Sequence, residues 1–111
     1  MSTGKSARNK GMSYERAVVK FMQSKGLDVE RVRAGYHDDI GDVRGPGVKD
    51  YLIDCKNHKQ WQFGSWMDHN VAKAGEDLIP VLVVKRPQKS VGESYVVMKL
   101  SDFIKTDLAP F

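Results

Sequence analysis

The run Pro80-Val81-Leu82-Val83-Val84 leaves this chain few folds to choose from. It is apolar throughout and rich in valine, so it reads as a strand covered on both faces. Such a strand needs helices above and below its sheet, and the flanking sequence offers them. From Ser13 onward, Ala17, Val18, Phe21 and Met22 recur at the spacing of one helix face, with Ser13 as a candidate N-cap and Gly26 as a candidate stop. Residues 27–33 alternate apolar and polar and read as a first strand, and residues 40–44 as a short second one. Gly45, Pro46 and Gly47 form a turn before a third strand over residues 51–55. Ser65 caps a second helix reaching about Asp77, with Trp66, Asn70, Val71 and Ala74 near one face. Residues 94–98 read as a last strand, and Ser101 opens a short helix. The order helix, three strands, helix, strand, strand, helix predicts an α/β fold: a mixed central sheet of about five strands flanked by helices.

A chain of 111 residues is one domain and can bury an adequate core unaided. Residues 1–10, small, polar and basic, read as a flexible tail, with the domain proper over residues 11–111. Cys55 is the only cysteine, so no internal disulfide framework exists. No apolar run approaches the roughly 18 residues of a membrane span, and the N-terminus has no signal-peptide core. The expected location is the cytoplasm, of a cell or of a virus-infected host. The net charge of +4 is modest and by itself fits an ordinary solvated surface. Its distribution is more telling. Lys5, Arg8 and Lys10 stand without an acid near the start, and Lys85, Arg86 and Lys89 do so later. Asp38, Asp39, Asp42 and Asp54 gather between them. Basic edges around an acidic centre suit a protein that holds phosphates with cations and a metal with carboxylates.

The acids have a chemically suggestive spacing. Asp42 is followed by eleven residues, then Asp54, Cys55 and Lys56. The intervening segment reads as a hairpin, which would bring the two acids and the lysine together. Residues two apart on a strand share a face, so Asp54 and Lys56 point one way and Cys55 the other, into the core. Hydrolysis of a phosphodiester needs an activated water, neutralisation of the charged phosphorus and stabilisation of the leaving oxygen. A magnesium ion held by carboxylates serves all three. Asp42 and Asp54 are candidate ligands, the Cys55 backbone carbonyl a third, and Lys56 could position the attacking water or stabilise the charged phosphorus. A lone Asp-x-Lys triplet is also a common surface ion pair; the preceding acid and the turn strengthen the catalytic alternative.

With these residues in view, the chain resembles the PD-(D/E)xK nuclease superfamily, with Ile40-Gly41-Asp42 as the first half of the motif and Asp54-Cys55-Lys56 as the second. Over roughly residues 8–105 it looks most like the archaeal-type Holliday junction resolvases, as a phage-encoded member would. The shared features are Lys10-Gly11 before Tyr14-Glu15-Arg16, Arg33-Ala34-Gly35 after the first strand, and the run from Ile79 to Lys85. The resemblance implies a restriction-endonuclease-like fold. It implies Glu15, Asp42 and Asp54 as metal-binding and catalytic carboxylates, Lys56 as the catalytic lysine, and Arg16 and Arg33 as phosphate contacts. It departs in having aspartate at position 54 where glutamate is usual, and in an acidic loop where Asp38 and Asp39 could be ligands or turn caps, the caps being favoured. Apart from the resemblance, Glu15 could simply pair with Lys20 or favour its helix's first turn, and Arg16 and Arg33 could be surface residues.

The remaining candidates are peripheral. His37, His58 and His69 lack zinc-ligand spacing. Gln60 could reach the site but suits a solvated loop, and Lys59 could touch phosphate. Trp61, Phe63 and Trp66 could stack on bases, form an interface or fill the core; interface or core is favoured. Together these expectations describe a Mg2+-dependent endonuclease, with Mn2+ as an alternative ion. It would cut branched, four-way-junction DNA as a homodimer and bind it through Lys5, Arg8, Lys10, Arg16, Arg33 and Lys59. The alternatives are another PD-(D/E)xK nuclease of nicking, repair or restriction type, and a non-catalytic nucleic-acid-binding module.

Overall fold

A computed structural model describes residues 3–32, 41–106 and 108, with residues 3–7 described by backbone alone. The expectations for Arg33, His37, Asp38 and Asp39 lie outside the described residues.

The first helix, α1, spans Thr3–Ser24, beginning ten residues before Ser13. Lys5, Ala7, Arg8 and Lys10 are good helix formers, and Gly11 weakens the helix without breaking it. Residues 3–10 are therefore helical where the sequence suggests a tail, and Ser13 is an exposed interior position rather than a cap. At the other end Gly26 has φ +90°, Leu27 N–H donates to the Met22 carbonyl and Gly26 N–H to the Gln23 carbonyl. This is the Schellman arrangement that glycine makes cheap.

The first, second and last strands are shorter than the sequence suggests, and the third and fourth each run one residue longer. They are β1 (Glu30–Arg31), β2 (Val43–Arg44), β3 (Tyr51–Lys56), β4 (Ile79–Val84) and β5 (Tyr95–Val97). They form one mixed sheet in the order β1-β2-β3-β4-β5, with β3 and β4 parallel and every other pair antiparallel. A short 3-10 turn at Pro46–Val48 joins β2 to β3. The helix α2 (Phe63–Ala74) makes the crossover that a parallel pair requires. It starts two residues before Ser65 and stops three before Asp77. A second 3-10 turn, Val91–Glu93, precedes β5, and α3 (Leu100–Ile104) follows it.

Pro80 sits inside β4 at no cost to the ladder. The Ile79 N–H donates toward β3, to the Asp50 carbonyl, so the next residue's nitrogen faces the opposite edge. There β5 pairs only with residues 82–84, leaving no ladder bond at Pro80 to be lost.

Two layers of core lie on the two sheet faces. Tyr14, Val18 and Val19 of α1 cluster with Val43, Ile53 and Val81, which share one face. The other face carries Leu52, Leu82 and Val84, all nearly inaccessible, with Ala74 of α2 also buried. The β3–β4 register alternates these sets: Ile53 beside Val81, then Asp54 beside Leu82, Cys55 beside Val83 and Lys56 beside Val84. Asp54 and Lys56 therefore emerge from the α2 face, and Cys55 packs against the α1 core, as the strand period demands.

Candidate active site

Gly41 fixes the position of Asp42. It has φ +90°, and a Cβ there would lie 2.6 Å from the Ile53 carbonyl oxygen, so no other residue lets the chain approach β3 so closely. The Asp42 N–H donates to the Ile53 carbonyl at 2.7 Å, and its own carbonyl accepts from Val32 N–H at 2.9 Å. With its backbone clamped on both sides, Asp42 turns its side chain to the end of β3, where Oδ2 accepts the Cys55 N–H at 2.8 Å. One carboxylate oxygen is thus held by the adjoining strand. By strand alternation the Cys55 carbonyl faces the same edge as that of Ile53, toward Asp42.

The expected catalytic set converges here. The carboxyl of Asp42 is pushed up to about 6, first by burial, against the Cys55 N–H, which lowers it. The negative charges of Asp54 and Glu15 raise it further, while Lys56 lowers it. Glu15, on α1, is also raised by burial; Arg31 counters that, and Asp54 adds to it. Three carboxylates within electrostatic reach of one another leave a local excess of negative charge.

Two cations of the chain partly answer that excess, and sequence reasoning missed both. Arg31 of β1 lies 3.6 Å from Glu15, making Arg31 rather than Lys20 the partner of Glu15. Lys73 of α2 lies 3.4 Å from Asp54, with both side chains largely shielded. The signal for Lys73 was its spacing from Trp66 and Asn70, seven and three residues earlier, which places it on the sheet-facing side of α2.

Lys56 emerges beside Asp54, with Nζ 5.6 Å from the Trp66 ring centroid, a cation–π contact that confines its flexible stem. Next to it is a trough of about 290 Å³ lined by Lys10, Gly11, Cys55, Lys56, Asn57, His58 and Lys59, with three lysines and no carboxylate. The imidazole of His58 is lowered from its ordinary range, chiefly by partial burial and then by Lys56 and Lys10. Among the expected DNA contacts, Arg8, Lys10, Arg16 and Lys59 are exposed, and Lys5 lies in α1. Gln60 is exposed in the loop after β3.

The donors Glu15, Asp42, Asp54 and the Cys55 carbonyl are all oxygen, the set that hard cations such as Mg2+ and Mn2+ prefer. Among the described residues no group of three or more metal-binding side chains stands close enough to hold an ion as it is. The Asp42 carboxyl is raised chiefly by burial and further by the charges of Asp54 and Glu15, which a divalent cation would offset, so the oxygen donors and their mutual repulsion both fit one. None of the described helices is long and apolar enough to cross a membrane.

The comparison with protein families agrees with this geometry. A family model described as "Phage putative PDDEXK endonuclease" matches residues 6–110, nearly the whole chain. No curated protein and no solved structure matches. With Asp42, Asp54 and Lys56 gathered at the end of β3 in a mixed five-stranded sheet between helices, the chain belongs to this phage PDDEXK endonuclease family and has its restriction-endonuclease-like fold.

Proposed function

We propose that the protein is a Mg2+-dependent, structure-specific DNA endonuclease that resolves four-way junctions by symmetric nicking as a homodimer. The observation that carries the nuclease chemistry is the Asp42 carboxylate, anchored on the Cys55 N–H among Asp54, Glu15 and Lys56. Asp42, Asp54 and Glu15, with the Cys55 carbonyl, would hold the ion. When bound, it supplies an acidified water and screens the phosphate charge. Lys56 neutralises charge developing on the non-bridging oxygens as water attacks phosphorus and the bond to the 3′-oxygen breaks. Lys10 and Lys59, lining the trough beside Lys56, hold the flanking backbone.

Junction preference and dimerisation rest on symmetry. A four-way junction offers two equivalent strands, and a two-fold dimer offers two equivalent sites. The edge strand β5 and α3 expose Val96, Leu100, Phe103 and Ile104, apolar surface that a second copy could cover.

The test is cleavage of end-labelled four-way junction and matched linear duplex, with Mg2+ and with EDTA, alongside binding competition. Paired symmetric nicks in the junction, dependent on Mg2+, are expected. Equal affinity for junction and duplex at moderate salt would overturn the resolvase assignment in favour of a flap, nicking or duplex nuclease using the same residues.

A further inference from the structure

We infer that Trp61 and Tyr95 form a stacking ledge for an unpaired nucleobase beside the cleavage site. The inference deepens the nuclease reading and rests on it for its place in catalysis. Two large rings lie outside the core. Trp61 is 38% exposed and Tyr95 45%, and neither belongs to the buried cluster. They meet edge to face at 5.8 Å. Trp61 stacks on Phe63 at 5.3 Å with the planes 23° apart, so its orientation is set from beneath. Phe63 leads to Trp66 at 6.2 Å, and Trp66 lies under Lys56. A continuous path of rings thus runs from Tyr95 on the sheet edge to the catalytic lysine.

The charges along this path identify the occupant. Arg86 sits 4.6 Å above the Tyr95 ring, and Lys56 lies over Trp66. Lys59 precedes Trp61 by two residues, and the acid at Arg86, Glu93, is engaged by it at 3.6 Å. Flat apolar surfaces interleaved with cations match a polyanion with flat apolar units, which is single-stranded nucleic acid. A second copy of this chain would bring the same positive charges to the same place and be repelled. A base held in a duplex offers its face to its neighbours in the stack, so the ledge takes a nucleotide that has left the stack, as at a branch point.

The experiment uses the full chain in EDTA, which prevents cutting, and a fluorescein-labelled oligothymidylate as probe. Trp61→Ala should weaken binding of the oligothymidylate about tenfold, near the lower part of the range for loss of one stacked base. Trp61→Phe should stay close to wild type, and linear duplex affinity should change much less. Tyr95→Ala gives an independent second reading if Trp61→Ala fails to melt cooperatively, and it should weaken oligothymidylate binding in the same selective way. Unchanged oligothymidylate affinity in the folded variants overturns the ledge. So does an equal loss for duplex and single strand, or a wild-type dimer that Trp61→Ala turns into a monomer in sedimentation. Wild-type cleavage in Mg2+ separates the two readings. A chain that cuts nothing but binds oligothymidylate through Trp61 keeps the ledge and loses the nuclease assignment; a chain that cuts while Trp61→Ala binds normally does the reverse.

Discussion

Asp42 is under opposed demands. Its backbone is fixed from both sides and one carboxylate oxygen is satisfied, yet it is half-buried within electrostatic reach of two other acids. Asp42→Asn should keep the bond from Cys55 N–H through the amide oxygen while removing the charge. Cleavage should then fall at least 100-fold in Mg2+ with DNA affinity held or improved, checked by single-turnover kinetics beside binding titrations. Cutting near the wild-type rate would show that the ligand is elsewhere. Lys56→Ala should lose far more in rate than in affinity in the same assays. The pH dependence follows from the raised Asp42 carboxyl, at about 6 in the fold against an ordinary 3.8. The metal-free fold holds that proton more tightly than the unfolded chain does. The associated stability is therefore fully present below about pH 4 and lost as pH rises through 6, an effect of about 3 kcal/mol. Thermal melts in EDTA should show wild type losing stability relative to Asp42→Asn across that window, and parallel curves would contradict the burial of this charge.

At the scale of elements, the unit β3-α2-β4 carries the site, and its packing decides how firmly Asp54 and Lys56 are aimed. Leu82 lies beside Asp54 in register and is fully buried. Leu82→Ala should destabilise the fold by about 2–5 kcal/mol, read as a lower urea midpoint, because a cavity opens beside the strand that carries Asp54. Asn70 in α2 is also fully buried, and neither of its amide atoms has a hydrogen-bond partner among the described residues. Asn70→Leu should therefore raise stability by about 1–3 kcal/mol in the same titration. This unit was also the most legible part of the sequence. A valine run of strand length and an acid-x-lysine triplet are local patterns whose geometry follows from the two-residue strand period. The partners of the acids were not legible. Helical spacing places Lys73 on the sheet-facing side of α2, but its meeting with Asp54, like that of Arg31 with Glu15, arises only because α2 and β1 fold back onto the acids. The start of α1 was misplaced for a related reason. Ser13 has the chemistry of a cap, but good helix formers before it extend the helix back to Thr3.

For the whole molecule, the relevant quantity is the distribution of charge over a body measuring 54 × 30 × 27 Å. The extended α1 puts Arg8 and Lys10 on a helical surface, with Lys10 reaching the trough beside Lys56. The double variant Arg8→Ala, Lys10→Ala should weaken junction binding and flatten its log–log salt dependence by about 0.9 for each phosphate that is no longer neutralised. An unchanged slope would show that these cations do not touch DNA.

Cys55 brings a different kind of access to the same site. It is the only thiol in the chain, and burial with three nearby carboxylates holds its pKa far above the usual range. Cys55 also lines the trough beside Lys56, so a disulfide reagent can reach it without the strand opening, and its reaction is held back by the scarcity of thiolate. The rate of its labelling is thus a built-in gauge of the negative charge at the end of the strand that carries Asp54 and Lys56. Any ion that neutralises Asp42, Asp54 and Glu15 together should speed that labelling before a single bond in DNA is cut.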